Sequence, residues 1–340
     1  MRIWAHYPAP VEEGMYRDLI AIGGSAGSLD TLLSIAAALP AGFGGNVLIV
    51  VHIGQSSSRL PWLLARAGRA PASHPRDSEP IQPGHIYVAP PDHHLVVERD
   101  LLRLSRGPRE HFTRPAIDPL FRSVAAVYAA RVIGVVLSGG GSDGAAGLDM
   151  IKRGGGLAVV LDPNDAVTPE MPQAAAAIVG ADYVVPGNEI AGLLVRLLRE
   201  NVPVVPAHPT APPEQIEMPE RPLTLSCPEC GGALRKVESS PAQQYLCHIG
   251  HRFGGEELLP AQLQTLETAL HVAQRVLNER VELLRRMVED SRAAGRQQDV
   301  RYWQTLQAET EKQADAIRQV LIAPAVEDDQ TRREPAEKSK

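Results

Sequence analysis

DLIAIGGSAGSLD, residues 18–30, decides how the chain is read. An apolar run ends in two glycines, turns at a serine and enters a stretch rich in leucine and alanine. Glycines after a strand let the chain turn sharply and let a ligand approach the backbone, so several kinds of site share this outline. A dinucleotide fingerprint needs G-x-G-x-x-G, but from Gly23 those positions hold Gly23, Ser25 and Ser28, and from Gly24 they hold Gly24, Ala26 and Leu29. A P-loop ends in Gly-Lys-Ser/Thr, and no lysine precedes Lys152. What fits is G-x-S-x-G at residues 23–27: a nucleophile at a strand-to-helix turn, with helix-start amides close enough to steady an oxyanion. The same residues also suit a tight turn with a serine N-cap.

Working outward, apolar runs recur in RDLIAIG (17–23), NVLIVVHIG (46–54), ARVIGVVLSG (130–139) and GGLAVVLD (155–162), with DYVVP (182–186) as a shorter candidate. Continuous apolar runs are the mark of strands buried on both faces, and their alternation with helical stretches predicts an α/β fold, a doubly wound, mostly parallel sheet. The segment 84–107, GHIYVAPPDHHLVVERDLLRLSRG, is broken by prolines and charges and predicts a local antiparallel meander. IDPLFRSVAAVYAAR (117–131) predicts a helix with Asp118 as N-cap and Pro119 at its first position. Seven prolines in residues 202–222 predict an extended spacer. The expected domains are a tail over 1–16, a catalytic domain over 17–200, a linker over 201–222, a cysteine-bearing module over 223–254, a helical hairpin over 255–322 and a polar tail over 323–340.

With 340 residues, 44% of them hydrophobic, the chain can bury sizeable cores. Its net charge of −6 and lack of a long basic run argue against nucleic acid as a partner. No apolar run of about 18 residues predicts a membrane span. The N-terminus lacks a signal-peptide layout, so a cytoplasmic protein that is not an integral membrane protein is expected, with Met15 as an alternative initiator.

A nucleophilic serine needs a base, and the base an orienting carboxylate. In parallel sheets these belong just past the carboxyl ends of strands. His52 closes the second apolar run, and Asp143 lies in the glycine-rich loop after VVLSGGGSDGAAG begins its turn, so three strand ends offer Ser25, His52 and Asp143. Rival histidines are His74, His85, His93, His94 and His111; rival carboxylates are Asp118, Asp162 and Asp165.

Six ordered blocks then carry a resemblance: IAIGGSAGSLDTL, IVVHIGQSSSRLPWLL, GHIYVAPPDHHLVV, RPAIDPLFRSVA, GVVLSGGGSDGAAGLDMIKRGGG and AVTPEMPQAAAA. Residues 18–198 resemble the catalytic domain of the chemotaxis protein-glutamate methylesterases of the CheB type. The resemblance implies that Ser25 is the nucleophile, His52 the base and Asp143 its orienting carboxylate. It implies hydrolysis of glutamyl γ-methyl esters with release of methanol, and glutamine deamidation by the same chemistry, with no cofactor for catalysis. The substrate partner would be a methylated chemoreceptor or related signalling protein, with a methyltransferase or kinase as a further partner. The chain departs from the family at Ala26 and Ser28, where threonine and glycine are usual, and at Gly140, where methionine is usual; Arg114 is a candidate for substrate carboxylates. Well-known members carry a receiver domain ahead of the catalytic one, whereas 16 residues stand there here, so control is expected from a partner or not at all. A non-catalytic scaffold and a serine esterase for another ester are the competing readings.

All three cysteines fall in CPECGG and YLCHIGH: Cys227, Cys230 and Cys247, with His251 four positions on. C-x-x-C followed by C-x-x-x-H suits a structural, tetrahedral Zn²⁺, with His248 a rival ligand and three unrelated thiols the plain alternative. Beyond it, Leu259, Leu263, Leu266, Leu270, Ala273, Leu277, Val281, Leu284 and Val288 form one apolar helical stripe, and Val300, Trp303, Leu306, Thr310, Ala314, Ile317 and Leu321 a second past Gly295. These predict a folded-back hairpin or a docking surface.

Overall fold

The computed structural model describes residues 16–40, 42–53, 57–202, 225–237 and 242–322. The expected N-terminal tail with Met15, nearly all of the proline-rich spacer and the C-terminal tail lie outside the described residues. The chain divides into two compact units, Met1–Leu259 and Pro260–Lys340.

The apolar runs become strands. β1 (Leu19–Gly24), buried along its whole length, leads through α1 (Leu29–Ala38) to β2 (Asn46–Val51) and α2 (Leu60–Ala67). Short strands follow, β3 (Ala72–Ser73), β4 (Glu79–Pro80) and β5 (Ile86–Val88), then β6 (His94–Glu98) and β7 (Leu101–Ser105). The second half runs α3 (Ile117–Tyr128), β8 (Val132–Val136), α4 (Ala145–Arg153), β9 (Leu157–Leu161), α5 (Glu170–Val179), β10 (Tyr183–Val185) and α6 (Gly187–Leu197). Seven strands form one parallel sheet in the order β10-β9-β8-β1-β2-β5-β3.

Helices cover both faces. Phe121, Leu148 and Met171, from α3, α4 and α5, pack on one side with Leu48 and Val136, while Leu32, Leu64 and Leu194, from α1, α2 and α6, pack on the other with Ile20 and Val135. The helices after the adjacent strands β1 and β8 thus leave to opposite faces, and a crevice opens between the carboxyl ends of those two strands. Phe121 is fully buried. Phe121→Ala is expected to destabilise the fold by about 3–5 kcal/mol, read as a lowered urea midpoint.

The meander is smaller than its sequence suggests. Ile86–Val88 joins the parallel sheet beside β2, because Ile86, Tyr87 and Val88 are buried there, and only β4, β7 and β6 form an antiparallel sheet. The cysteine-bearing segment folds as three antiparallel strands, β11 (Leu234–Val237), β12 (Gln244–Cys247) and β13 (Arg252–Gly254). Its core is small, centred on Cys227, Leu234, Cys247, Phe253 and Leu258, and Phe112 from the loop before α3 packs against Phe253 with the rings tilted and their centroids 4.6 Å apart.

Two long helices follow, α7 (Gly255–Ala293) and α8 (Gln297–Ile322), separated by a turn in which Gly295 has φ +71°. The predicted stripes are covered only in part: Leu284, Val288, Val300, Thr310 and Ala314 are buried, whereas Leu259, Leu263 and Leu266 are more than half exposed. No helix among the described residues is long and apolar enough to cross a membrane.

Candidate active site

Ser25 stands at the first residue after β1. Its N–H donates to Ser138 O at 2.8 Å, and its carbonyl accepts from Ser28 N at 3.2 Å and Ser28 Oγ at 2.7 Å, so the corner is fastened on both sides. Gly27 holds φ +82°, and a Cβ there would run into Val167 and Ser138. Across the crevice Gly139 follows β8; a Cβ on it would lie 2.8 Å from Ser25 Cβ and 2.7 Å from Met171 Cε. Gly139→Ala is therefore expected to push the Ser25 side chain out of place and lower esterase turnover about 10²-fold, with the melting temperature monitored to separate this from unfolding.

His52 follows β2 by one residue, and its N–H donates to Gly24 O at 3.2 Å, which continues the β1–β2 register to the strand ends. Its Nε2 lies 2.8 Å from Asp143 Oδ2, which leaves Nδ1 as the nitrogen able to serve Ser25. Among the described residues no hydrogen bond joins Ser25 Oγ to His52; in free enzymes that bond commonly closes only with substrate present. A cleft of about 380 Å³ opens at Ser25, walled by Leu32, Val51, Ile53 and Leu60 with Arg59 among its lining residues.

Asp143, 1% exposed, receives three donors: besides His52, Ile117 N reaches Oδ2 at 2.6 Å and Asp118 N reaches Oδ1 at 2.9 Å. The carboxylate thus sits on the amides that open α3, at the positive end of the helix dipole. This corrects the expected capping. Ala116 holds the N-cap position with no side-chain bond, Pro119 is the third helical residue rather than the first, and Asp118 is fully buried. Asp118 Oδ1 instead accepts from Gly144 N at 3.1 Å and Gly147 N at 2.7 Å, tying α3 to the start of α4.

Behind this pair lies a group of side chains that no short sequence pattern marks. His111 presents Nε2 to Asp118 Oδ2 at 3.2 Å, with Asp143 Oδ1 at 3.9 Å, and Nδ1 to Glu257 Oε2 at 2.7 Å. Burial alone would push its pKa down, but the charges of Glu257 and Asp143 and the bonds to Asp118 and Glu257 hold it well above the ordinary imidazole value. Burial would likewise raise the Glu257 carboxyl, yet the His111 charge and the amides of Ser142 and Gly254 hold it at about 2. His111, Asp118 and Asp143 lie close together; His111 Nδ1 faces Glu257 and both aspartates accept backbone amides, so the group is a network of one histidine and three carboxylates held by fixed donors.

The other candidates have local duties. His74, His93 and His94 bond the carbonyls of Val88, Pro91 and Pro108, and His85 bonds Ser73 Oγ. Asp162 serves its own turn at Asn164, and Asp165 accepts from Gly187 N. Arg114 is held by Asp92 at 2.7 Å and by the carbonyl of Gly107 at 2.7 Å, so its guanidinium fastens loops.

Cys227, Cys230, Cys247 and His251 come together with one ligand atom each. Cys230 Sγ lies 3.7 Å from Cys247 Sγ, and His251 Nδ1 lies 3.7 Å from Cys227 Sγ and 3.5 Å from Cys247 Sγ. Zn–S bonds of about 2.3 Å at tetrahedral angles place sulfurs about 3.7–3.8 Å apart, so the spacing fits one Zn²⁺ and not a disulfide. His248 is not part of the cluster.

The description CheB methylesterase belongs to the family model that matches residues 20–194. A Leptospira interrogans protein, provisionally named a protein-glutamate methylesterase/protein-glutamine glutaminase, is 41% identical over 191 residues, 55% of this chain and 98% of that protein. A Rhodospirillum rubrum protein named protein-glutamate methylesterase/protein-glutamine glutaminase 1 is 39% identical over 53% of this chain and 48% of its own length. The chain therefore spans about half of that longer relative. The crystal structure of the Thermotoga maritima CheB methylesterase catalytic domain superposes with a TM-score of 0.51 at 28% identity, covering 54% of this chain and all of that one.

Proposed function

Since more than half of its length matches the CheB methylesterase model, the chain belongs to that family, and on this premise we propose that it is a protein-glutamate methylesterase working through Ser25, His52 and Asp143. The observation that carries the reading is the His52–Asp143 contact of 2.8 Å at the strand end beside Ser25, with both Asp143 oxygens engaged by fixed amides.

Ser25 Oγ gives its proton to His52 Nδ1 as it attacks the γ-carbonyl carbon of a glutamyl methyl ester. The oxyanion forms beside backbone amides of the turn after Ser25, Asp143 steadies the imidazolium, and methanol leaves with the proton that His52 returns. Water, deprotonated by His52, then attacks the acyl-serine and frees glutamate. On a glutamine γ-amide the same steps release ammonia. A side chain carried on another protein suits an open cleft with apolar walls and one cationic residue among its lining.

The partner we propose is a methylated chemoreceptor or related signalling protein, met in the cytoplasm. In the C-terminal module Cys227, Cys230, Cys247 and His251 would hold Zn²⁺ structurally, since the four protein ligands complete a tetrahedron and leave no position for substrate. The deciding experiment is methanol release from a methylated chemoreceptor cytoplasmic fragment. Release that depends on Ser25 supports both reaction and substrate; its absence, with Ser25 still labelled by a fluorophosphonate, rejects this substrate class and keeps the esterase.

A further inference from the structure

The region matched by the family model ends at residue 194, yet side chains from beyond residue 240 reach the back of the triad. Glu257, in the first turn of α7, meets four donor atoms there. Its Oε1 accepts from Ser142 N at 2.9 Å and Ser142 Oγ at 3.2 Å, its Oε2 accepts from Gly254 N at 3.2 Å, and both oxygens face His111 Nδ1 at 2.9 and 2.7 Å. Ser142 is the residue before Asp143. Gln244, at the start of β12, donates from Nε2 to Asp118 Oδ2 at 3.0 Å. The backbones also join: His111 N donates to Arg252 O at 2.7 Å, and Glu110 and Arg252 form a bridge like that between strands.

The fit leaves little slack. A Cβ on Gly141 would lie 2.8 Å from Glu257 Oε1, so the glycine-rich loop is packed against that carboxylate. Three bonds fix Asp143, two of them from backbone amides of α3, and a shift of its loop by a fraction of an ångström would unmake them. A buried ion pair adds little net stability, but removing one partner leaves the other charge buried and unpaired, which is strongly unfavourable.

We propose that Glu257 is a positioning residue of the hydrolase: delivered by the C-terminal module, it holds the Ser142–Asp143 loop directly and through His111, so that the triad is set only when the module is seated. This rests on Ser25, His52 and Asp143 acting as the triad. The module is then a working part of the active site, and anything that unseats it, loss of metal included, lowers turnover without touching the nucleophile.

The test uses the full chain with Glu257→Ala, Glu257→Gln and Glu256→Ala, the last an exposed neighbour in the same turn. Hydrolysis of p-nitrophenyl acetate supplies kcat and KM, fluorophosphonate labelling reports Ser25, and the downfield proton resonance of the His52–Asp143 hydrogen bond reports the geometry. Glu257→Ala is expected to lower kcat about 10- to 100-fold with KM within about twofold, and to shift or broaden the proton resonance. Glu257→Gln keeps an acceptor for Ser142 and is expected to recover part of the loss, while Glu256→Ala matches the wild type. A folded Glu257→Ala protein with wild-type kcat and an unmoved resonance, or a folded Glu257→Gln protein no better than Glu257→Ala, overturns the positioning role alone. Labelling that Ser25→Ala does not abolish overturns the triad, and the positioning role with it.

Discussion

Ser25→Ala is expected to lower methanol release by about 10³- to 10⁴-fold or more, and His52→Ala to do the same, with the double variant no slower than either single one. The non-additivity follows from the roles: without the hydroxyl no acyl-enzyme forms, and without the imidazole the hydroxyl keeps its proton. What remains is the stabilisation that the turn amides give to water's own attack. Asp143→Asn should be harsher than an isosteric change suggests. Ile117 N and Asp118 N each donate to one of the two carboxylate oxygens, so an asparagine must set its NH₂ against a donor. A chain in which Ser25→Ala hydrolyses the ester at the wild-type rate would remove Ser25 from the chemistry.

The second large effect concerns metal. The cysteine-bearing module has few buried apolar side chains, and two residues of its core cluster are themselves cysteines. A core that small does not stand alone, and structural zinc contributes about 10–16 kcal/mol of apparent binding free energy in comparable small modules. Reductant-protected protein is expected to carry one zinc per chain. Chelation, or Cys247→Ser, should strip hydrogen-exchange protection from β11, β12 and β13 while β1, β2 and β8 keep theirs. Content well below one zinc per chain, or a module that stays protected after chelation, would show that the four side chains cluster for another reason.

The parallel sheet could be read from the chain because strands buried on both faces need no polar residues, and Leu19–Gly24 and Val132–Val136 advertise that directly. Ser25, His52 and Asp143 could be picked out because a sheet of this kind collects strand ends at one edge. Ile86–Val88 was harder: three apolar residues between prolines and histidines say nothing about which sheet they join, and burial beside β2 decides it. Asp118 reads as a cap because an aspartate before a helical proline usually is one, but the helix opens one residue earlier, at Ile117, and the amides of Ile117 and Asp118 are taken by Asp143, 25 residues beyond Asp118 in sequence. Glu257 lies 146 residues from His111, and a pairing at that distance leaves no periodicity or spacing to find. The four metal ligands, by contrast, sit within one short segment, where spacing alone carries the geometry.

The position of β1 between β2 and β8 also sets a timetable for synthesis. β2 is made soon after β1, but the strand that closes the other side is encoded more than a hundred residues later. At ordinary translation speeds that is a delay of roughly 5–20 s. Until then β1 has no partner on its β8 side, and an apolar strand with a bare edge is the kind of surface that chaperones bind and that aggregates when they are scarce. Ser25 and His52 are therefore made well before Asp143, and the site cannot be complete until the second half of the domain has emerged.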